Sequence, residues 1–224
     1  MRHGALLGAV IWESLVGLTR WSAAFYACLA CSAGGEREMG IQQRRVVTLL
    51  KRLSTMVYIR CSREPELGQM AYDIFLPQYE FALRQFEIAV DLAWMERARK
   101  SPRSPETQAQ PQPQPLFSLG LGILNALHDL ISGCRDSGVR QRGLDLLERM
   151  PYQEGLWTGR NARRVVGPIV EIEEKSRIPG VYGREGIQTE DRIVGVNFQY
   201  FPDRFKIIAD RLEGREVAWV QLDS

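Results

Sequence analysis

LLERMPYQEGLWTGRNARRVVGPIVEIEE, residues Leu146–Glu174, is the stretch whose reading decides the fold. It opens on the end of one helix, which Pro151 halts because proline lacks an N–H and clashes with the preceding turn. A Pro-Tyr-Gln-Glu-Gly turn follows, then Leu156 and Trp157, an anchor whose large side chain needs a partner surface. Thr158 stands at the cap position of a second helix over Gly159–Lys175, in which Ala162, Val165, Val166, Ile169 and Val170 share one face. Gly167-Pro168 inside that helix predicts a kink, since an unbent helix would carry a penalty of about 3 kcal/mol. The stretch contains no nucleophile–base pair, no phosphate-cradling glycine loop and no set of metal ligands. Its job is structural.

Upstream the pattern is also helical. Val46, Leu49, Leu50, Leu53, Met56 and Val57 recur at three-and-four spacing, and Tyr79, Leu83, Phe86, Ala89, Val90 and Ala93 repeat this after Pro77. Trp21–Ala33 is apolar nearly all round, which as a helix belongs at the centre of the packing. Between these helices and the next lies KSPRSPETQAQPQPQP, residues 100–115, with five of the eleven prolines. Its alternating Gln-Pro has nothing apolar to bury and too few N–H donors for a helix, so an exposed polyproline-like loop is expected. Beyond it Ile123, Leu124, Leu127, Leu130 and Ile131 form a helical face ending near Gly133. Ser137 is expected to cap a short helix carrying Leu144, Leu146 and Leu147.

The tail changes period. Val194, Val196, Phe198 and Tyr200 alternate, as do Phe205, Ile207 and Ala209, with Pro202-Asp203 as the turn of a hairpin. Val217, Trp219 and Leu222 suggest a third short strand. Two strands alone are barely stable in water, so this element must pack on the helices. The fold class is mainly α: stacked antiparallel helices with a small C-terminal β-hairpin. The organisation is an N-terminal helical part (1–99), a Pro/Gln-rich loop (100–116), a C-terminal helical part (117–178), and a connector with the β element (179–224).

Composition bounds the function. The 224 residues are 45% hydrophobic and 25% charged, with Lys+Arg 29 against Asp+Glu 27 for a formal charge of +2. That is ordinary for a globular chain and is no electrostatic footprint for nucleic acid. Arg44-Arg45 and Arg163-Arg164 are short pairs, expected on the solvated sides of helices. Cys28, Cys31, Cys61 and Cys134 make no disulfide framework in a chain of this length, and a zinc site would need four ligands where only His3 and His128 add to them. Buried reduced thiols are the expectation for Cys28 and Cys31. At the start, Glu13 ends the apolar run Gly4–Trp12 and Arg20 interrupts the next. Met1–Ala33 therefore lacks both a continuous signal-peptide core and the ~20 apolar residues of a membrane span.

Several residues carry chemistry in other proteins. His128-Asp129 lie on adjacent helical positions, too far apart in angle to orient one another as a catalytic base. Glu171, Glu173 and Glu174 fan around a helix end as a solvated rim, with Glu171 and Lys175 as an i,i+4 pair. Gly120 and Gly122 lack the third glycine of a dinucleotide loop. Gly180, Gly183 and Gly186 suit a flexible connector. Trp21, Tyr72, Phe75, Phe81, Phe86, Trp94 and Trp157 are expected in the core, with a groove for a small-molecule effector as the rival use. No catalytic, cofactor-binding or metal residue is assigned.

Three stretches together resemble the fungal-specific regulatory region of zinc binuclear cluster transcription factors. Trp21-Ser-Ala-Ala-Phe25 is similar to that family's tryptophan-aromatic helix. Met70-Ala-Tyr-Asp-Ile-Phe-Leu-Pro-Gln-Tyr-Glu80 is similar to its next landmark. Cys134-Arg-Asp136, the helix through Arg149, Glu154-Gly-Leu-Trp157 and Glu171-Ile-Glu-Glu174 resemble its end. The likeness covers about residues 18–200. It implies a helical, noncatalytic regulatory protein acting by protein contact, for instance with a full-length relative, in the nucleus or alternatively the cytoplasm. The family's DNA-binding module holds two zinc ions with six cysteines. Nothing here supplies that pattern, so the resemblance implies the regulatory half alone, with no direct nucleic-acid binding, no membrane contact and no cofactor. The rival functions are an effector-sensing helical domain and an enzyme with an unrecognised site.

Overall fold

The computed structural model describes residues 72–100, 116–118, 123–155 and 157–221, and before these only positions 13, 16–20, 23, 24, 27, 31, 40 and 44. The helical face of residues 46–57, most of Trp21–Ala33 and the Gln-Pro loop lie outside that set. Within it the protein is mainly α, closed by a small C-terminal sheet. Four helices carry the core: α1 (Leu76–Lys100), α2 (Ile123–Gly133), α3 (Ser137–Glu148) and α4 (Gly159–Glu174).

The apolar spacing works as the sequence proposes. Leu83, Phe86, Ala89, Val90 and Ala93 of α1 are buried against Ile123, Leu124, Leu127, Leu130 and Ile131 of α2 and against Val139, Leu144, Leu146 and Leu147 of α3. α4 has two apolar faces instead of one. Ala162, Val166 and Val170 join this helical core, while Ile169 and Ile172, with Val165 beside them, form a second core with the sheet. α4 is therefore the partition between two hydrophobic clusters. It runs unbroken through Pro168. Buried Val166 and Ile169 pack on either side of Pro168, and that burial offsets the local penalty.

Two glycines set how closely the helices approach. A Cβ on Gly159 would lie 2.1 Å from the Leu147 carbonyl oxygen and 2.6 Å from Met150 Cβ, so the first turn of α4 sits directly on the end of α3. A Cβ on Gly143 would lie 2.6 Å from Ile131 Cγ1, at the α2–α3 crossing. The caps differ in part from expectation. Thr158 Oγ1 does accept from Asn161 N at 3.1 Å. The cap of α3, however, is Asp136, whose carboxylate accepts from Val139 N at 2.9 Å, and Ser137 is the first helical residue. Either side chain can cap; a carboxylate adds a favourable interaction with the helix dipole.

The turn 151–158 holds structure that its sequence does not announce. β1 (Leu116–Ser118) pairs in parallel with β2 (Tyr152–Glu154), which pairs antiparallel with β3 (Trp157–Thr158), and Gly155 at φ +59° makes the reversal. Strands of two or three residues lack enough alternation to register as a period. Trp157 is not a buried anchor, being 49% exposed. Glu154 in the turn is buried, and its Oε2 accepts from Leu124 N at 3.1 Å and so places a carboxylate on the N-terminus of α2.

The C-terminal sheet has order β4-β5-β6, with β4 (Ile193–Tyr200), β5 (Arg204–Arg211) and β6 (Gly214–Gln221) all antiparallel. Phe205, Ile207 and Ala209 of the central strand face α4, as their alternation predicts. β4 departs from it. Val196 packs on the second core, but Phe198, Tyr200 and Val194 stand exposed, because α4 lies over β5 and β6.

Gly159→Ala is expected to destabilise the protein by about 1–3 kcal/mol through overpacking. Urea denaturation should show the midpoint fall with the slope unchanged.

Candidate functional site

The densest polar cluster is built around Glu173, in the last turn of α4. Sequence spacing placed it on a solvated rim; instead it is 2% exposed. Its Oε1 accepts from Arg135 Nη2 at 3.1 Å and from the Ile193 backbone N–H at 2.8 Å, and its Oε2 accepts from Arg140 Nη2. Arg135 lies in the α2–α3 loop, Arg140 in α3 and Ile193 at the start of β4. One carboxylate thus joins both helical layers to the sheet. Both arginines are buried, and each spends further N–H groups on helix ends: Arg135 Nη1 on the Gly133 carbonyl at 2.8 Å, Arg140 Nε on the Ile131 carbonyl at 3.3 Å. Glu174 is half-buried and accepts from Arg140 Nη1 at 2.8 Å and from Arg177. Glu171 faces solvent, and Lys175 approaches Glu216 of β6 at 4.0 Å.

Burial pushes the Glu173 carboxyl up, but the Arg140 and Arg135 guanidiniums and the bonds from Arg140 and Ile193 outweigh it and hold it below its ordinary value. Glu174 behaves likewise, with burial opposed by Arg177 and Arg140. The cluster is an ion network whose two carboxylates are held by arginines.

The same chemistry fixes the connector. Arg177 donates from Nη1 to the carbonyls of Val181 and Gly183 at 3.0 and 2.7 Å and from Nη2 to that of Arg135 at 2.7 Å. Arg192, 1% exposed, pairs with Asp73 Oδ2 at 2.8 Å and donates to the Ile187 and Arg184 carbonyls. Gly180–Gly186 is therefore a tied loop and not a free one. Arg211 donates to Ser176, to Asp191 and to the Ile172 carbonyl, which fastens β5 to the end of α4.

The other candidates separate. His128 and Asp129 are both about one-third exposed and approach to 3.5 Å, closer than the helix-angle argument allows, because the two side chains lean toward each other. They stay on the surface of α2, away from the Glu173 cluster. Arg44 is buried and donates to Gln85 of α1, which overturns its placement on a solvated face; there an arginine finds an amide acceptor within the packing. Arg163 keeps a surface position beside Glu148 at 3.2 Å. Cys31 is exposed, against the expectation of a buried thiol, and Cys134 is buried. Trp94 is exposed on one edge while its Nε1–H bonds the Arg149 carbonyl at 2.9 Å. Phe75 and Phe86 are core; Gly120, Gly122, Trp21, Cys28 and Cys61 lie outside the described residues.

A depression lined by Tyr72, Asp73, Tyr79, Cys134, Arg135 and Arg184 has room for about 10 Å³, one water and no metabolite. Burial raises the Tyr79 phenol and pushes the Cys134 thiol up to about 11. Neither is a nucleophile at neutral pH. Among the described residues no group of three or more His, Cys, Asp or Glu side chains converges as a metal site, and no helix is long and apolar enough to cross a membrane.

No family model matches the chain, and no solved structure matches it. Sixty residues are 40% identical to a curated fungal protein, the aspercryptin biosynthesis cluster-specific transcription regulator of Emericella nidulans. The match takes in 27% of this chain and 10% of that regulator. The chain is thus similar, over part of its length, to a fungal transcription regulator.

Glu173→Gln should lower stability by about 3–5 kcal/mol, because it removes the buried carboxylate that faces Arg135 and leaves Arg140 with Glu174 alone. Glu171→Gln should change it by less than about 0.5 kcal/mol. Both depressed carboxyls contribute stability that is complete above the unfolded-state value of about 4.3 and is lost as pH falls through their folded values. Acid unfolding of the wild type should therefore steepen below that pH, and Glu173→Gln should flatten the slope. In a native-state thiol-labelling time course read by peptide mass, Cys31 should react well before Cys134.

Proposed function

We propose that this protein is a transcription-factor-like regulator that works by protein contact in the nucleus, corresponding to the regulatory region of fungal zinc binuclear cluster factors without their six-cysteine module. The 40% identity with a fungal cluster-specific transcription regulator is the observation that carries this proposal. Its sites are surfaces: arginines and carboxylates of the best-ordered cluster are used up in joining helices to sheet, while exposed aromatics remain on the sheet. The N-terminal helical part, the Gln-Pro loop and the C-terminal helical part with its β element are taken as the working divisions of that regulatory region. A full-length relative carrying the zinc cluster is the proposed partner, and influence on transcription passes through it.

Fluorescent tagging should place the protein in the nucleus. Tethered to an unrelated DNA-binding domain, it should alter a reporter, whereas the purified chain should show no zinc-dependent, sequence-specific DNA binding. Zinc-dependent recognition of a defined sequence by this chain, or an unchanged reporter, would defeat the proposal.

A further inference from the structure

The C-terminal sheet buries one face and shows the other. Phe205, Ile207 and Ala209 point to α4, so the register sets Lys206 and Ile208 of β5 on the opposite side, beside Gln199 and Asn197 of β4 and beside Trp219 and Val217 of β6. Arg204 and the turn residue Phe201 close one end of this outer face. Part of it is apolar: Ile208 belongs to neither hydrophobic core, Val217 and Trp219 are 46% and 50% exposed, and Phe201 tilts against Trp219 at 5.4 Å. Beside that band stand cations with little counter-charge. Arg204 lies 4.7 Å over the Trp219 ring, and its one carboxylate among the described residues is exposed Asp203, 3.9 Å away. The Lys206 ammonium lies 5.8 Å from the same ring and, among the described residues, meets no carboxylate. Arg215, at the far end, is by contrast bonded to Asp210 at 2.6 Å.

We propose that this outer face is a docking site for an acidic amphipathic helix of a partner protein. The exposed band of Phe201, Trp219 and Val217 calls for apolar cover. Arg204 and Lys206 beside it call for carboxylates, and such pairs strengthen where apolar contact excludes water. The shape of the occupant follows from its backbone. The strands spend their N–H and C=O groups on one another in the plane of the sheet, so an extended segment laid across the face would leave its own groups unpaired, whereas a helix pairs its own. A nucleic-acid strand suits the surface less well. Asp203 and Asp210 stand on it and repel phosphate, Val217 and Ile208 offer no ring for a base to stack on, and the Trp219 ring is already faced by Arg204. Assigning the helix to a protein partner rests also on the regulatory reading above.

The test is an NMR titration of the isotopically labelled full chain with a synthetic helical peptide bearing leucines on one face and glutamates on the other. The same peptide with lysine for every glutamate, and single-stranded oligothymidylate, are the comparison probes. The acidic peptide should shift the amide signals of residues 197–199, 204–208 and 217–219, and its affinity should fall as salt rises. Arg204→Glu combined with Lys206→Glu should weaken it roughly tenfold or more, and the double variant should bind the lysine peptide better than the wild type does. The salt and peptide-charge comparisons use the wild type and stand if the variant misfolds. Absence of binding by the acidic peptide, equal binding of the lysine peptide, or preference for oligothymidylate would overturn the proposal. So would the same shifts on concentrating the chain alone, which would mark a contact between copies. A peptide that binds while the tethered reporter stays silent would sink the regulatory reading alone; a responsive reporter without peptide binding would sink this proposal alone.

Discussion

A single buried carboxylate holds the two halves of this molecule together. Glu173 is withdrawn from water at the end of α4 and is met there by two guanidiniums and one backbone N–H, from α3, the α2–α3 loop and the first residue of β4. Desolvating three charges is expensive, and attraction repays it only when geometry is good and the remaining donors are satisfied. Here Arg135 Nη1 and Arg140 Nε reach the carbonyls at the end of α2, those of Gly133 and Ile131, which an α-helix leaves without intrahelical partners. The network therefore closes helix ends and counters charge with the same side chains.

The arrangement explains why α4 can serve two cores. Its Ala162, Val166 and Val170 bury against the helices, its Ile169 and Ile172 against the sheet, and its acidic last turn takes the charged seam where the two layers meet. Hydrophobic burial is non-directional and would tolerate the sheet at several angles. The arginine contacts are directional. Arg211 on Ser176, Asp191 and the Ile172 carbonyl, Arg177 on the connector carbonyls, and Arg192 on Asp73 each remove a way for the sheet to slide.

The same geometry decides what is left for other molecules. Among the described residues the carboxylates of the Glu173 cluster are held by arginines, and the small hollow by Tyr72 and Asp73 admits a water. Among the described residues, Phe198 and Tyr200 of β4 stay exposed at the rim of the sheet, beyond the cover of α4.

Sequence by itself determined the helices of the core and the three C-terminal strands, because periods of 3.6 and 2 over eight or more residues are local signals. It also determined Thr158 as a cap and the burial of Leu83, Phe86, Leu127 and Val166. Tertiary structure alone decided the short strands β1–β3, the exposure of Trp157, the burial of Arg44 and, above all, the fate of Glu173. Glu171, Glu173 and Glu174 are indistinguishable on a helix drawn in isolation. Which of them is solvated depends on whether arginines 33 to 38 residues earlier are brought to the same place. Charge pairing at that sequence separation leaves no mark on local pattern, because the partners become neighbours only once the helices have packed.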